Sequence, residues 1–68
     1  MNYRQLTYFV AVVEAGSITA AAKNLDLSQP PLSKQIIALE EELGIKLMDG
    51  SSRWITLTDA GFLMYLRA

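Results

Sequence analysis

Five residues near the middle of the chain, Gln29, Pro30, Ser33, Lys34 and Ile37, bring varied contact chemistry into a short span. The Gln29 amide donates and accepts together, which allows a two-point pair with an adenine edge. Ser33 can hydrogen-bond a base or a phosphate, and Lys34 can reach guanine or a phosphate oxygen. Pro30 and Ile37 offer only apolar contact, for example with a thymine methyl. Farther on, Arg53 carries a guanidinium that could enter a narrow minor groove, although its position alone reads as an ordinary turn residue. Gln29, Ser33 and Lys34 would equally suit any solvated helix face. This is recognition chemistry at most. The chain has no histidine and no cysteine, so a zinc site would need carboxylates alone, and no phosphate-cradling glycine loop is present. An enzyme is not expected, and no cofactor or metal is implied.

Residues of this kind matter only if something holds them outward. Leu32, Ile36, Leu39 and Leu43 recur at steps of four, three and four, a narrow apolar stripe at 100° per residue. The helix that carries them starts at Ser28, an N-cap candidate and a possible phosphate ligand, and ends at Gly44. Pro30 and Pro31 fit its first turn, where amides lack intrahelical partners. With the stripe in the core, Gln29, Pro30, Ser33, Lys34 and Ile37 face away from it. No acid falls on this face before Glu40, as contact with phosphates would require. Glu40, Glu41 and Glu42 splay over about 200° of helix, so they cannot converge as paired carboxylates and read as a solvated face.

Upstream, Asn2 and Gln5 form a capping box. Leu6, Phe9, Val10 and Val13 give a first helix its apolar face, and Gly16 ends it. Ser17 caps a shorter helix containing Ile18, Ala21, Ala22 and Leu25, and Asp26-Leu27 makes a corner. Downstream the period changes to two. Ile45 and Leu47, turn residues from Asp49 to Ser52, and Trp54 to Leu57 predict a small hairpin. Thr58 caps a fourth helix whose apolar pattern stops at the chain end, as in a truncated element. Trp54 and Tyr8 read as packing residues.

The chain has 68 residues and a net charge of −1, which taken alone argues against a nucleic-acid partner. The sum hides an asymmetry. Most of the acid lies in Glu40, Glu41, Glu42 and Asp49; outside that stretch Arg4, Lys23, Lys34, Arg53 and Arg67 outnumber Glu14, Asp26 and Asp59. No apolar run approaches the roughly 20 residues of a membrane span, and no secretory signal is evident, so a soluble, cytoplasmic protein is expected.

Ser28-Gln29-Pro30-Pro31-Leu32-Ser33-Lys34-Gln35-Ile36 followed by Leu39-Glu40-Glu41-Glu42-Leu43-Gly44-Ile45 resembles the recognition-helix signature of LysR-type transcriptional regulators. Leu6, Tyr8-Phe9-Val10, Gly16-Ser17, Ala21-Ala22, Leu25 and Leu57-Thr58-Asp59-Ala60-Gly61 match in the same register, so the resemblance spans the chain. It implies a mainly α fold: a winged helix-turn-helix over residues 1–58, with a three-helix core and a hairpin wing, then the start of a linker or dimerisation helix over 59–68. It further implies double-stranded DNA as partner, at interrupted palindromes with A·T-rich flanks. A homodimer through the linker helix, a tetramer at full length and a small-molecule inducer bound by a separate C-terminal domain also follow from it.

Position by position, the resemblance places Gln29, Pro30, Pro31, Ser33 and Lys34 on the groove-reading helix. Arg53 falls on the wing arginine of the minor groove, and Ser17 and Thr19 lie near the DNA backbone. Three departures stand out: Met48 where the family usually has an aromatic, implying a looser wing; Gly50 where it usually has arginine; and Ile37 in place of a polar or basic residue. A small acidic protein-interaction or dimerisation module is the competing reading, motivated by net charge and the exposed start of the fourth helix.

Overall fold

The computed structural model describes residues 2–49 and 54–67. In order these form α1 (Tyr3–Ala15), α2 (Ile18–Asn24), α3 (Gln29–Leu43), β1 (Met48–Asp49), β2 (Thr56–Leu57) and α4 (Asp59–Arg67).

Helix boundaries follow local chemistry. Asn2 Oδ1 accepts from the Gln5 amide at 2.8 Å and Gln5 Oε1 accepts from the Asn2 amide at 3.2 Å, so the expected capping box is formed. Gly16 ends α1 at φ 86°, a conformation that favours glycine. The chain axis then turns by 111° into α2, and Ser17 Oγ accepts from the Ala20 amide at 3.0 Å. At the end of α2 the Leu27 amide reaches back to Ala22 O (2.8 Å) and the Asp26 amide to Lys23 O (3.2 Å). Asp26 takes a left-handed φ of 57°, which completes a Schellman turn with aspartate where glycine is commoner. This is the corner between α2 and α3.

The core is built where α1, α2 and α3 meet. Leu32, Ile36 and Leu39 are buried as the spacing predicts, with Leu43 partly covered. Ala21 and Ala22 are buried too; their small side chains let the helices approach. The face of α1 needs correction. Phe9 and Val12 are fully buried and Gln5 nearly so, while Leu6, Val10 and Val13 are only half-buried. The unbroken apolar run from Phe9 to Val13 allows more than one helical face. Packing against the other helices chooses the one through Val12.

The hairpin is shorter than expected. Met48 pairs with Leu57 and Asp49 with Thr56, antiparallel, whereas residues 45–47 and 54–55 lie outside the strands. Two of the amides beside the strands are turned to other partners: Leu47 N donates to a Glu40 carboxylate oxygen and Ile55 N to Gly16 O. Met48, at the root of the wing, is only 5% exposed and belongs to the core. Thr58 Oγ accepts from the Gly61 amide at 3.1 Å and caps α4 as predicted. The Tyr65 hydroxyl donates to Glu14 Oε2 (3.2 Å), tying α4 to α1. The Glu14 charge, chiefly, raises the Tyr65 hydroxyl above its ordinary pKa.

Candidate nucleic-acid interface

Burying the leucine stripe of α3 turns the opposite surface to solvent. Gln29, Pro30, Pro31, Lys34 and Ile37 are exposed, Ile37 by 54%, and Ser33 is half-buried at the edge of the stripe. One helix face thus gathers five of the expected contact residues, with Pro31 beside them. Thr19, exposed in the first turn of α2, joins this group: Gln29 Nε2 donates to Thr19 Oγ1. Sequence spacing could not have shown that bond, because it crosses the corner between two helices.

The two candidate serine caps behave differently. Ser17 is only 8% exposed and its hydroxyl is engaged by the Ala20 amide. A DNA contact at that end would therefore come from Thr19 or from first-turn amides rather than from Ser17 Oγ. Ser28 has N-cap backbone angles but makes no side-chain cap bond, which corrects the expectation that its hydroxyl caps α3. The cause is in the sequence. An N-cap oxygen accepts from the second or third helical amide, and here those residues are Pro30 and Pro31, which have no N–H. Ser28 is exposed. Ser17→Ala should therefore cost about 1 kcal/mol of stability, while Ser28→Ala should cost close to nothing. Urea denaturation followed by circular dichroism compares the two directly, and equal losses would contradict the asymmetry.

Glu40 was expected on a solvated face with Glu41 and Glu42. Those two are exposed, but Glu40 is half-buried and its Oε2 accepts from the amides of Leu47 (2.8 Å) and Met48 (3.3 Å). Its own carbonyl accepts from Gly44 (2.8 Å) and Ile45 (3.3 Å). One residue of α3 thereby fastens the segment leading into the wing. The sequence signal is a carboxylate two turns of helix before a short strand, but three consecutive glutamates look alike in sequence. The acid does not spoil the leading face, since it lies two turns beyond Ser33 and is folded against backbone amides.

Arg53 and Gly50 lie outside the described residues. At the root of the wing, Trp54 is half exposed and its six-membered ring packs over Gly16, where an added Cβ would lie 3.3 Å from the ring. Tyr8 packs against the core as expected, whereas Trp54, 56% exposed, lies outside that cluster. Among the described residues no single helix is long and apolar enough to cross a membrane.

Three helices, a tight corner between the second and third, a short hairpin and a closing helix define a winged helix-turn-helix. Residues 3–62 match the family model described as "Bacterial regulatory helix-turn-helix protein, lysR family", and the chain belongs to that family. The HTH-type transcriptional regulator TcbR of Pseudomonas sp. (strain P51) is 56% identical over 61 residues, which cover 90% of this chain and 21% of that protein. Among solved structures, a CbnR_DBD–DNA complex superposes with a TM-score of 0.94 at 51% identity, covering 98% of this chain and 77% of that one. A BenM_DBD/catB site 1 DNA complex gives 0.94 at 52%, covering 98% and 75%. The chain spans about a fifth of the length of the curated relatives it matches.

Proposed function

We propose that this chain binds double-stranded DNA sequence-specifically as part of a bacterial transcription regulator. In this reading α3 enters the major groove and the wing approaches the adjacent minor groove. The observation that carries the proposal is the outward face of α3, with Gln29, Pro30, Ser33, Lys34 and Ile37 set opposite buried Leu32, Ile36 and Leu39. Two structures that superpose closely are DNA complexes, which supports the same reading.

Roles follow from chemistry. Gln29 and Ser33 read base edges, Lys34 reaches guanine or phosphate, and Pro30 and Ile37 pack on methyl groups. Pro31, beside Pro30, adds apolar surface at the leading edge. Thr19 and the Ser28 hydroxyl, which no helix amide engages, meet phosphates. Ser17 acts by holding the first turn of α2 in place. Arg53 is assigned to the minor groove on the family resemblance alone.

Residues 59–68 start a linker helix that pairs two copies, with Phe62, Leu63 and Leu66 exposed on α4 to supply the contact. Two copies would then meet two half-sites of an interrupted palindrome with A·T-rich flanks, and a longer chain would add tetramer contacts and an inducer site. The role is that of a binding protein, not an enzyme, working in the cytoplasm where its DNA lies.

Salt dependence tests the function against the competing protein-interaction module. Binding of labelled duplex, followed by fluorescence anisotropy, should give a log–log slope of about −2 to −3 per subunit. The slope is shallow because few cations lie on the face. Affinity that ignores ionic strength would favour apolar association and remove the DNA reading.

A further inference from the structure

We propose that Thr19 sets the base preference of Gln29, an inference that rests on the DNA reading above and assigns a positioning role within it. Gln29 Nε2 donates to Thr19 Oγ1 at 2.5 Å, joining the first turn of α2 to the first residue of α3. Both side chains are exposed, so the bond lies on the face that meets the duplex.

The bond decides which way round the amide sits. An untethered glutamine can exchange its oxygen and nitrogen by a half-turn of the terminal group, and then presents donor and acceptor in either order. A free hydroxyl would serve either end of the amide. With the Thr19 proton given to a phosphate, its oxygen can only accept, so one Gln29 N–H stays anchored there and the second N–H and Oε1 keep a fixed order. That pair suits adenine, whose N7 accepts and whose N6 amino group donates. Guanine presents two acceptors, N7 and O6, and would set O6 against Oε1. Thymine offers only an acceptor and cytosine only a donor there. Tethering also removes rotamer freedom before binding, so less is lost when the base contact forms.

Thr19 has a second half to its role. Its oxygen is the acceptor toward Gln29, which leaves its own hydroxyl proton to donate outward to a phosphate oxygen. Donation in one direction strengthens acceptance in the other, because hydrogen bonds in a chain polarise one another. A backbone contact without sequence information thus sharpens a neighbouring contact that has it. Ser17 cannot substitute, since its hydroxyl is buried under the α2 cap.

The test uses Thr19→Val, which keeps the side-chain shape without an acceptor, and Thr19→Ser, which keeps the hydroxyl. Sequencing of duplexes selected from a random pool, with Gln29→Ala for comparison, identifies the base pair that Gln29 reads. Dissociation constants are then measured for four duplexes differing only at that pair. The unmodified chain and Thr19→Ser should favour adenine by roughly tenfold or more, and in Thr19→Val the preference should fall to about threefold or less. A Thr19→Val chain that loses affinity equally for all four duplexes makes Thr19 a phosphate contact only and overturns the proposal. Unchanged preference in Thr19→Val overturns it as well. If the unmodified chain itself selects no sequence, the failure lies in the DNA reading, and this proposal falls with it.

Discussion

Gly61→Ala is expected to destabilise the domain by about 3 kcal/mol, the upper range for overpacking, and to lower its melting temperature by about 15 °C. A Cβ at Gly61 would lie 1.8 Å from the Leu47 carbonyl oxygen, 2.8 Å from its carbon and 3.1 Å from Leu57 Cδ2. The nearest neighbour is backbone, and that backbone is held from both sides. Leu47 N donates to Glu40, and Leu47 O accepts from the Thr58 amide at 3.1 Å. Relief therefore requires the start of α4 to move off the segment leading into β1, which would break the bonds from the Thr58 amide to Leu47 O and from the Thr58 hydroxyl to Lys46 O. Small domains have little stability to lose, so the loss would leave much of the chain unfolded. Gly44→Ala supplies the comparison: φ is 71° but nothing lies within 4 Å of the added carbon, so only the backbone cost of about 1 kcal/mol applies. Thermal melts of the two variants that coincide would mean that α4 is not packed against the root of the wing as described.

The second large effect concerns the charge on the outward face. Lys34→Glu is expected to weaken DNA binding on the order of a hundredfold near 100 mM salt, combining a lost base or phosphate contact with a new repulsion. Lys34 is exposed on α3, so the melting temperature should hardly change. The salt slope should become shallower by about one, as one cation leaves the interface. Anisotropy titrations at several ionic strengths would show both effects together. Undiminished affinity would place the binding surface elsewhere on the molecule.

The legibility of this structure in its sequence varied with how many interactions decided each feature. Leu32, Ile36 and Leu39 could be read directly because one periodic stripe has one way to be buried. The Asn2–Gln5 box, Gly16, Gly44, Ser17 and Thr58 were legible for a similar reason: each is settled by a few adjacent residues. The face of α1 was not, since Phe9 to Val13 is apolar throughout and only the packing of other helices selects Val12. The Ser28 cap failed on a detail that was present in the sequence. Two prolines remove the amides it would bind, and residue preference alone does not count donors. Glu40 and the Gln29–Thr19 bond belong to a third kind. Each joins segments whose approach depends on the angle between elements, and no local pattern encodes that angle. The outward face of α3 was legible because it is the complement of the stripe.

The orientation of α3 toward DNA can be tested by a tethered cleavage reagent, since the chain contains no cysteine. Ile37→Cys places a single thiol at the middle of the outward face, and Thr7→Cys places one on the exposed side of α1. Each is coupled to an iron chelate, bound to a selected duplex, and triggered to cut the DNA. The account predicts strand cuts within each half-site, with the stagger of a major-groove source, from Ile37→Cys and little cutting from Thr7→Cys. Intact DNA with the Ile37→Cys conjugate bound, or cuts arising instead from Thr7→Cys, would contradict it.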